Sequence, residues 1–315
     1  MRRPQSAADA QRAADARKEM LDELHAKLAD GVTELRSSDR WRDFLTFASG
    51  FNRYSFNNMV LLWRQNPEAS MVASFSAWKE RGHFVKKGET ALRVLAPMTY
   101  KMAVEDNDNK PVLDEHGKPT SRMVVRGFKP VPVFDVSQVD PPVDRPDRPT
   151  LLPGEAPEGL WDALATFIAE NGYTLERGEC AAGVNGYTDY ANRTIRVRDD
   201  VDDAQAVKTL AHETGHMVMH APAAGEERPE CRGTIEVEAE AVAFMVAAAH
   251  GLDASDYTFA YVSGWAERAA REQGVELDAV IQATGQRVMA CADKILTATQ
   301  AATLIAEKAA IENTL

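Results

Sequence analysis

Two histidines four residues apart, His212 and His216, flank Glu213 in the run Thr209-Leu210-Ala211-His212-Glu213-Thr214-Gly215-His216. On a helix, positions i and i+4 stand on one face, so both imidazoles can grip a single metal ion. Glu213 then projects beside that ion, where a carboxylate can take the proton of an attacking water. A catalytic zinc commonly takes three protein ligands and leaves one position open. Twenty residues after His216 comes Glu236-Val237-Glu238-Ala239-Glu240, opening the apolar segment Ala241 to Ala249. That segment is apolar all round and reads as a buried helix, so carboxylates at its start need a partner. Glu236 is the expected third ligand. Glu240, on the same face, is expected to orient a ligating histidine, and Glu238 to face solvent. The bland alternative is acidic charge at a helix N-terminus, which stabilises by a few tenths to about 1 kcal/mol. The histidines upstream favour the metal.

The elements that would carry these groups are readable. Asp202 and Asp203 supply a cap and a first-turn charge, and Val207, Leu210, Ala211, Thr214, Met217 and Val218 form an apolar stripe. A helix over about 203–220 follows. Gly215 inside it costs roughly 1 kcal/mol against alanine, which a close backbone approach would explain. Thr194 to Arg198 alternates as a half-exposed strand should. The cleft is expected between this strand, as an edge that could hold extended peptide, and the metal helix. His220, Tyr187, Tyr190 and Tyr261 are candidates to stabilise a transition state, and nothing in the sequence separates them.

The combination of HExxH, a gap of about twenty and an ExEA run resembles the gluzincin-type metallopeptidases. Within them it is most similar to the carboxy-terminal domain of the ArdC antirestriction proteins. The segments Tyr261-Val262-Ser263-Gly264-Trp265 and Thr284 to Leu296 are similar to that family's closing helices. The resemblance implies His212, His216 and Glu236 as zinc ligands and Glu213 as base. Glu240 stands where relatives place Asp or Asn, so only its supporting role departs from the pattern.

The amino-terminal half carries a second signal. Phe47 to Asn58 runs into Met59 to Trp63, and Trp78 to Glu89 follows with a basic glycine turn. This stretch resembles the ArdC amino-terminal domain, which implies binding to single-stranded DNA. Single strands are held by basic grooves that track phosphate and by aromatic faces on which bases stack. Here Arg53 adjoins Tyr54, Trp63 adjoins Arg64, Trp78 adjoins Lys79, and Phe84 lies two residues from Lys86. The expected DNA contacts are Arg53, Tyr54, Trp78, Arg81, Lys86 and Lys87. Most aromatics of the region, including Phe44, Phe47, Phe51 and Trp63, sit at helical spacing and read as core. Asn57 and Asn58 read as capping or turn residues, and Lys86-Lys87-Gly88 first as a turn.

Charge divides the same way. Of a net charge of −12, residues 36–135 hold 16 Lys+Arg against 11 Asp+Glu, whereas residues 136–315 hold 14 against 30. A locally basic unit on an acidic chain suits a nucleic-acid module joined to a different activity. At 315 residues, two domains with cores of their own are expected. The fold class is α+β: an α/β single-strand-binding domain and a mostly helical, zincin-like metallopeptidase domain. The divisions are a long amino-terminal helix over 1–37, the DNA-binding domain over 38–136, a proline-rich linker over 137–158 and the peptidase domain over 159–315. Within the first domain, a polar loop over 105–120 is expected to join long strands over 92–103 and 123–134. No secretory or transmembrane run is present, and Cys180, Cys231 and Cys291 are odd in number and widely spaced. Both suggest a reducing cytoplasm and no membrane partner. A metal role for Cys231 is disfavoured, since a fourth protein ligand would close the site.

The resulting expectation is antirestriction: protection of a mobile genetic element's DNA as it enters a host as a single strand, with Zn2+ as cofactor. Two rivals stand beside it. One is a regulatory zinc protease that cuts a repressor or restriction subunit. The other is a plain single-strand-binding protein whose metal is structural.

Overall fold

The computed structural model describes residues 7–51, 54–104, 112–114, 116, 118–143, 154–222, 232–252 and 262–312. Helix α1 (Ala7–Glu34) is followed by α2 (Ser38–Ser49) and α3 (Phe56–Gln65). Strand β1 (Val72–Ala73), helix α4 (Phe75–Glu80) and strand β2 (Phe84–Val85) lead into two long strands, β3 (Leu92–Ala103) and β4 (Ser121–Asp135). These pair antiparallel along their whole length, with a register shift between Met98 and Thr99, and β1 adds to the far edge of β4. Strand β5 (Val139–Asp140) pairs with β2. Residues 137–140, expected to open the linker, thus fold onto the amino-terminal half, and Val139 is buried beneath Trp78. Residues 144–153 of that segment lie outside the described residues.

The carboxy-terminal half begins with α5 (Leu160–Glu170), then β6 (Thr174–Arg177), β7 (Gly186–Asp189) and β8 (Thr194–Val197). Among the described residues four helices complete it: α6 (Asp203–His220), α7 (Arg232–Ala249), α8 (Val262–Gln273) and α9 (Leu277–Glu312). The three strands form one sheet in the order β6-β8-β7, with β8 parallel to β6 and antiparallel to β7. The architecture is two-domain and mixed α+β. Among the described residues no helix is long and apolar enough to cross a membrane.

The two halves were expected to hold separate cores, but their interiors run together. Phe44, Phe56 and Trp63 belong to the same buried cluster as Leu164, Leu210, Val242 and Ile295. Helices α7 and α9 make this join, α7 against α2 and α9 against α1 and α3. Gln282 Nε2 donates to Asn57 Oδ1 at 2.8 Å, and Asp278 accepts from Arg36 at 2.7 Å and Thr33 at 2.9 Å. Asn58, expected as a cap or turn residue, instead clamps β3: its amide donates to Leu95 O and accepts from Leu95 N.

Candidate metal centre

Helix α6 starts where Asp202 accepts a hydrogen bond from Gln205 N at 2.8 Å, the cap that its sequence requires. Its apolar stripe is buried, with Val207, Leu210, Ala211 and Met217 all below 5% exposure, which fixes the rotation of the opposite face. Helix α7 crosses it closely. A Cβ on Gly215 would lie 3.3 Å from Ala239 Cα and 3.4 Å from Val242 Cβ, so the mid-helix glycine serves helix packing. This approach brings the start of α7 to the histidines.

His212 Nε2 and His216 Nε2 face each other at 3.0 Å, and each lies 3.5 Å from Glu236 Oε2. Ligands held about 2.0–2.1 Å from a tetrahedral ion stand about 3.3–3.4 Å apart, so the three atoms suit one divalent metal after shifts of a few tenths of an ångström. Among the described residues, His212, His216 and Glu236 form the group of His, Cys, Asp and Glu able to hold an ion. Behind His212, Nδ1 lies 3.1 Å from Glu240 Oε2. Burial opposes protonation of His212, but hydrogen bonds to Glu236 and Glu240 outweigh it and carry its pKa up to about 9. Contacts with His212 and His216 hold Glu236 well below the usual carboxylate range. The donor set therefore attracts positive charge strongly.

Glu213 is 6% exposed, and its Oε2 accepts from Thr188 Oγ1 at 2.7 Å. The same hydroxyl reaches Glu213 O at 3.2 Å. Thr188 lies on β7, and sequence reasoning passed over it. A cleft of about 570 Å³ lies over the four residues, walled by β7 and the loop before it, Gly183 to Thr188. The expected wall was the strand over 194–198. That strand is β8, which lies at the centre of its sheet; the edge strand at the cleft is β7. Gly186 is the point of contact. A Cβ there would meet Thr209 Cγ2 at 2.7 Å and Arg196 O at 2.8 Å.

Of the candidates for transition-state stabilisation, Tyr187 lines the cleft and is 41% exposed. The Tyr190 hydroxyl donates to His216 O at 3.3 Å. His220 is buried behind His216, away from the cleft, and Tyr261 lies outside the described residues. Glu238, expected in solvent, is 4% exposed and bonded to His220 and Arg287, because α9 covers that face of α7. Cys231 also lies outside the described residues.

The expected DNA contacts are dispersed. Trp78 cannot stack a base: it is 1% exposed, and its indole N–H donates to Phe134 O at 2.8 Å. Tyr54 is half-buried, donates its hydroxyl to Val72 O at 3.2 Å and meets Phe51 in a T-shaped contact. Arg81 is exposed, with its guanidinium over the Trp78 ring at 5.8 Å. Lys86 donates Nζ to Ser137 O at 2.9 Å, and Lys87 is exposed at a turn completed by Gly88 at φ 94°. Arg53 lies outside the described residues. Phe84, noted for its place near Lys86, does face solvent, as do three aromatics that the sequence did not single out: Phe75 on α4, and Tyr100 and Phe128 on the β3–β4 ribbon. The ribbon also exposes Lys101, Arg122, Arg126 and Lys129.

Residues 14–134 match the family model for the N-terminal domain of anti-restriction factor ArdC. Residues 179–282 match that for the IrrE N-terminal-like domain, a peptidase family. An uncharacterized protein of Bacillus anthracis is 25% identical over 280 residues, 79% of this chain and 46% of its own length. The chain thus spans about half of that curated relative. Two solved structures of the antirestriction ArdC protein from plasmid R388 are each 22% identical. The metal-free one covers 78% of this chain and 85% of its own at a TM-score of 0.49. The Mn(II)-bound one covers 80% and 87% at 0.46.

Proposed function

We propose that this chain, an ArdC-like protein by its two domain matches, protects unmodified DNA from restriction as that DNA enters a host. In this reading it binds single-stranded DNA through its amino-terminal half and carries a zinc peptidase site in the other. One observation carries the peptidase part. His212, Glu213, His216 and Glu236, on two separate helices, converge on one open cleft beside an edge strand. A purely structural zinc is enclosed by four protein ligands, whereas three donors beside a cleft and a carboxylate leave room for a reactant.

Zinc on His212, His216 and Glu236 would supply Lewis acidity and bring the pKa of water towards about 7. Glu213 takes the proton of the attacking water and passes it to the leaving amine. Thr188 holds the Glu213 carboxylate in place, and Glu240 holds the His212 ring. The free side of β7 offers backbone donors and acceptors to an extended peptide, by strand addition. For DNA, Arg81, Lys86, Lys87 and the basic ribbon residues contact phosphate, while Phe75, Phe84, Tyr100 and Phe128 offer stacking faces.

The test is transfer of unmodified DNA into restricting cells that express wild type, Glu213→Gln or no protein. Wild type raises recovery of the DNA over no protein; equal recovery ends the antirestriction reading. Glu213→Gln separates its two forms. Retained protection means that the protein works by covering DNA, and lost protection means that it cuts a partner.

A further inference from the structure

A buried polar chain runs from the back of His216 into α9. His216 Nδ1 lies 3.0 Å from His220 Nδ1, and His220 Nε2 lies 3.0 Å from Glu238 Oε2. The other Glu238 oxygen accepts from Arg287 Nε at 2.9 Å and from Arg287 Nη2. Arg287 is held in turn by Thr284 Oγ1 at 3.1 Å. His216, His220 and Glu238 are 6%, 7% and 4% exposed. Three buried ionisable groups in a row are costly unless each has a partner, and here each has one.

Hydrogen-bond polarity orders this chain. If His216 ligates through Nε2, which faces Glu236, its ring proton sits on Nδ1 and must be donated. His220 Nδ1 is the acceptor, so the His220 proton sits on Nε2 and is donated to Glu238. The carboxylate can only accept, and Arg287 balances its charge. With His216 so bound and His220 neutral, one set of tautomers satisfies every member.

We propose that His220 and Glu238, anchored by Arg287, are positioning residues that fix the ring and tautomer of His216 for metal binding. The proposal rests on the metal reading above. It makes the two ligand histidines equivalent in kind: Glu240 backs His212 directly, and Glu238 backs His216 through His220. Such a carboxylate behind a ligating imidazole orients it and strengthens it as a donor.

The experiment measures Zn2+ affinity of the full chain by competition with a chromophoric chelator. Thermal melting of the metal-free protein is followed alongside. His220→Phe keeps a ring but removes the acceptor, and weakens zinc binding by about 10–100-fold. His220→Gln offers both an acceptor and a donor, and recovers part of that loss. Glu238→Gln sets a donor against either His220 or Arg287 and weakens zinc binding in the same direction. If wild type binds zinc and these variants bind within about threefold of it, the relay is overturned while the metal centre stands. If wild type binds none, the metal reading itself fails. A role confined to packing lowers the metal-free melting temperature and leaves zinc affinity unchanged, which also overturns the proposal. Should His220→Phe not fold, Glu238→Gln decides by the same threshold.

Discussion

Replacing Gly285 with alanine tests whether the two halves share one interior. Gly285 lies inside α9, where the exchange ordinarily stabilises by about 1 kcal/mol through helix propensity. Two independent domains joined by a linker would leave this helix face uncrowded by the other half and show that gain. In this fold a Cβ at 285 would lie 2.1, 2.5 and 2.8 Å from three ring atoms of Phe56, in the amino-terminal half. Phe56 is 2% exposed and packs edge-on against Phe44 at 5.3 Å, itself fully buried. The ring cannot yield as a flexible side chain would, so either it leaves its rotamer or α9 shifts. Overpacking of this kind costs about 1–3 kcal/mol, which matches or exceeds the propensity gain. The expected net is a loss of up to about 2 kcal/mol, read as a lower urea midpoint of the whole chain by circular dichroism. Phe56→Leu makes room for the methyl, so the double variant loses less than the two single losses added together, by about 0.5 kcal/mol or more. A stabilising Gly285→Ala, or strict additivity with Phe56→Leu, would refute the shared core.

Other outcomes follow from the same packing. Asp135 is 2% exposed and accepts from Ser70 N, Met71 N, Ser137 N and Ser137 Oγ. Burial pulls its pKa up, but those bonds win and hold it below its usual value. A lowered folded pKa contributes stability above the unfolded value of about 3.9 and loses it as pH falls through the folded one. Asp135→Asn therefore costs about 1–3 kcal/mol at pH 7, and the gap from wild type narrows at pH 3; a constant gap in urea titrations contradicts this. Burial pushes the Cys291 thiol up to about 12. In a Cys231→Ser background, a disulfide reagent at pH 8 modifies half-buried Cys180 in the folded chain and Cys291 only on unfolding. Rapid labelling of Cys291 would contradict its burial. Under the proposed DNA reading, affinity for single-stranded DNA falls steeply with salt, and Phe84→Ala or Lys87→Ala weakens it without loss of stability. Flat salt dependence or a preference for duplex would remove the DNA assignment.

What was legible in the sequence is what local periodicity and caps decide. Helix α6 is bounded by Asp202 and carries one buried stripe, so its limits and its metal-facing side could be read directly. The β3 and β4 strands were equally plain. What required the fold was pairing across distance. Thr194 to Val197 alternates in burial, which reads as an edge, yet β6 and β7 flank it on both sides. The true edge, Gly186–Asp189, is short and opens with a glycine whose value is its contact with α6. Glu238 turns away from the ligand face of α7 as helical spacing requires, but the surface there is covered by a helix about fifty residues on. Trp78 sits among basic residues, and nothing local distinguishes a stacking ring from one buried under β4 and β5. Residues 137–140 read as linker because proline follows them closely, and only their pairing with β2 shows otherwise.

In the proposed metal centre, His212, His216 and Glu236 hold one zinc ion and Glu213 does not. Equilibrium dialysis of the purified chain against Zn2+, with metal counted per chain, tests it directly. About one zinc is expected in wild type and in Glu213→Gln, with tight binding lost in His212→Ala and in Glu236→Ala. Wild type that holds no zinc, or His212→Ala that holds as much as wild type, would contradict it.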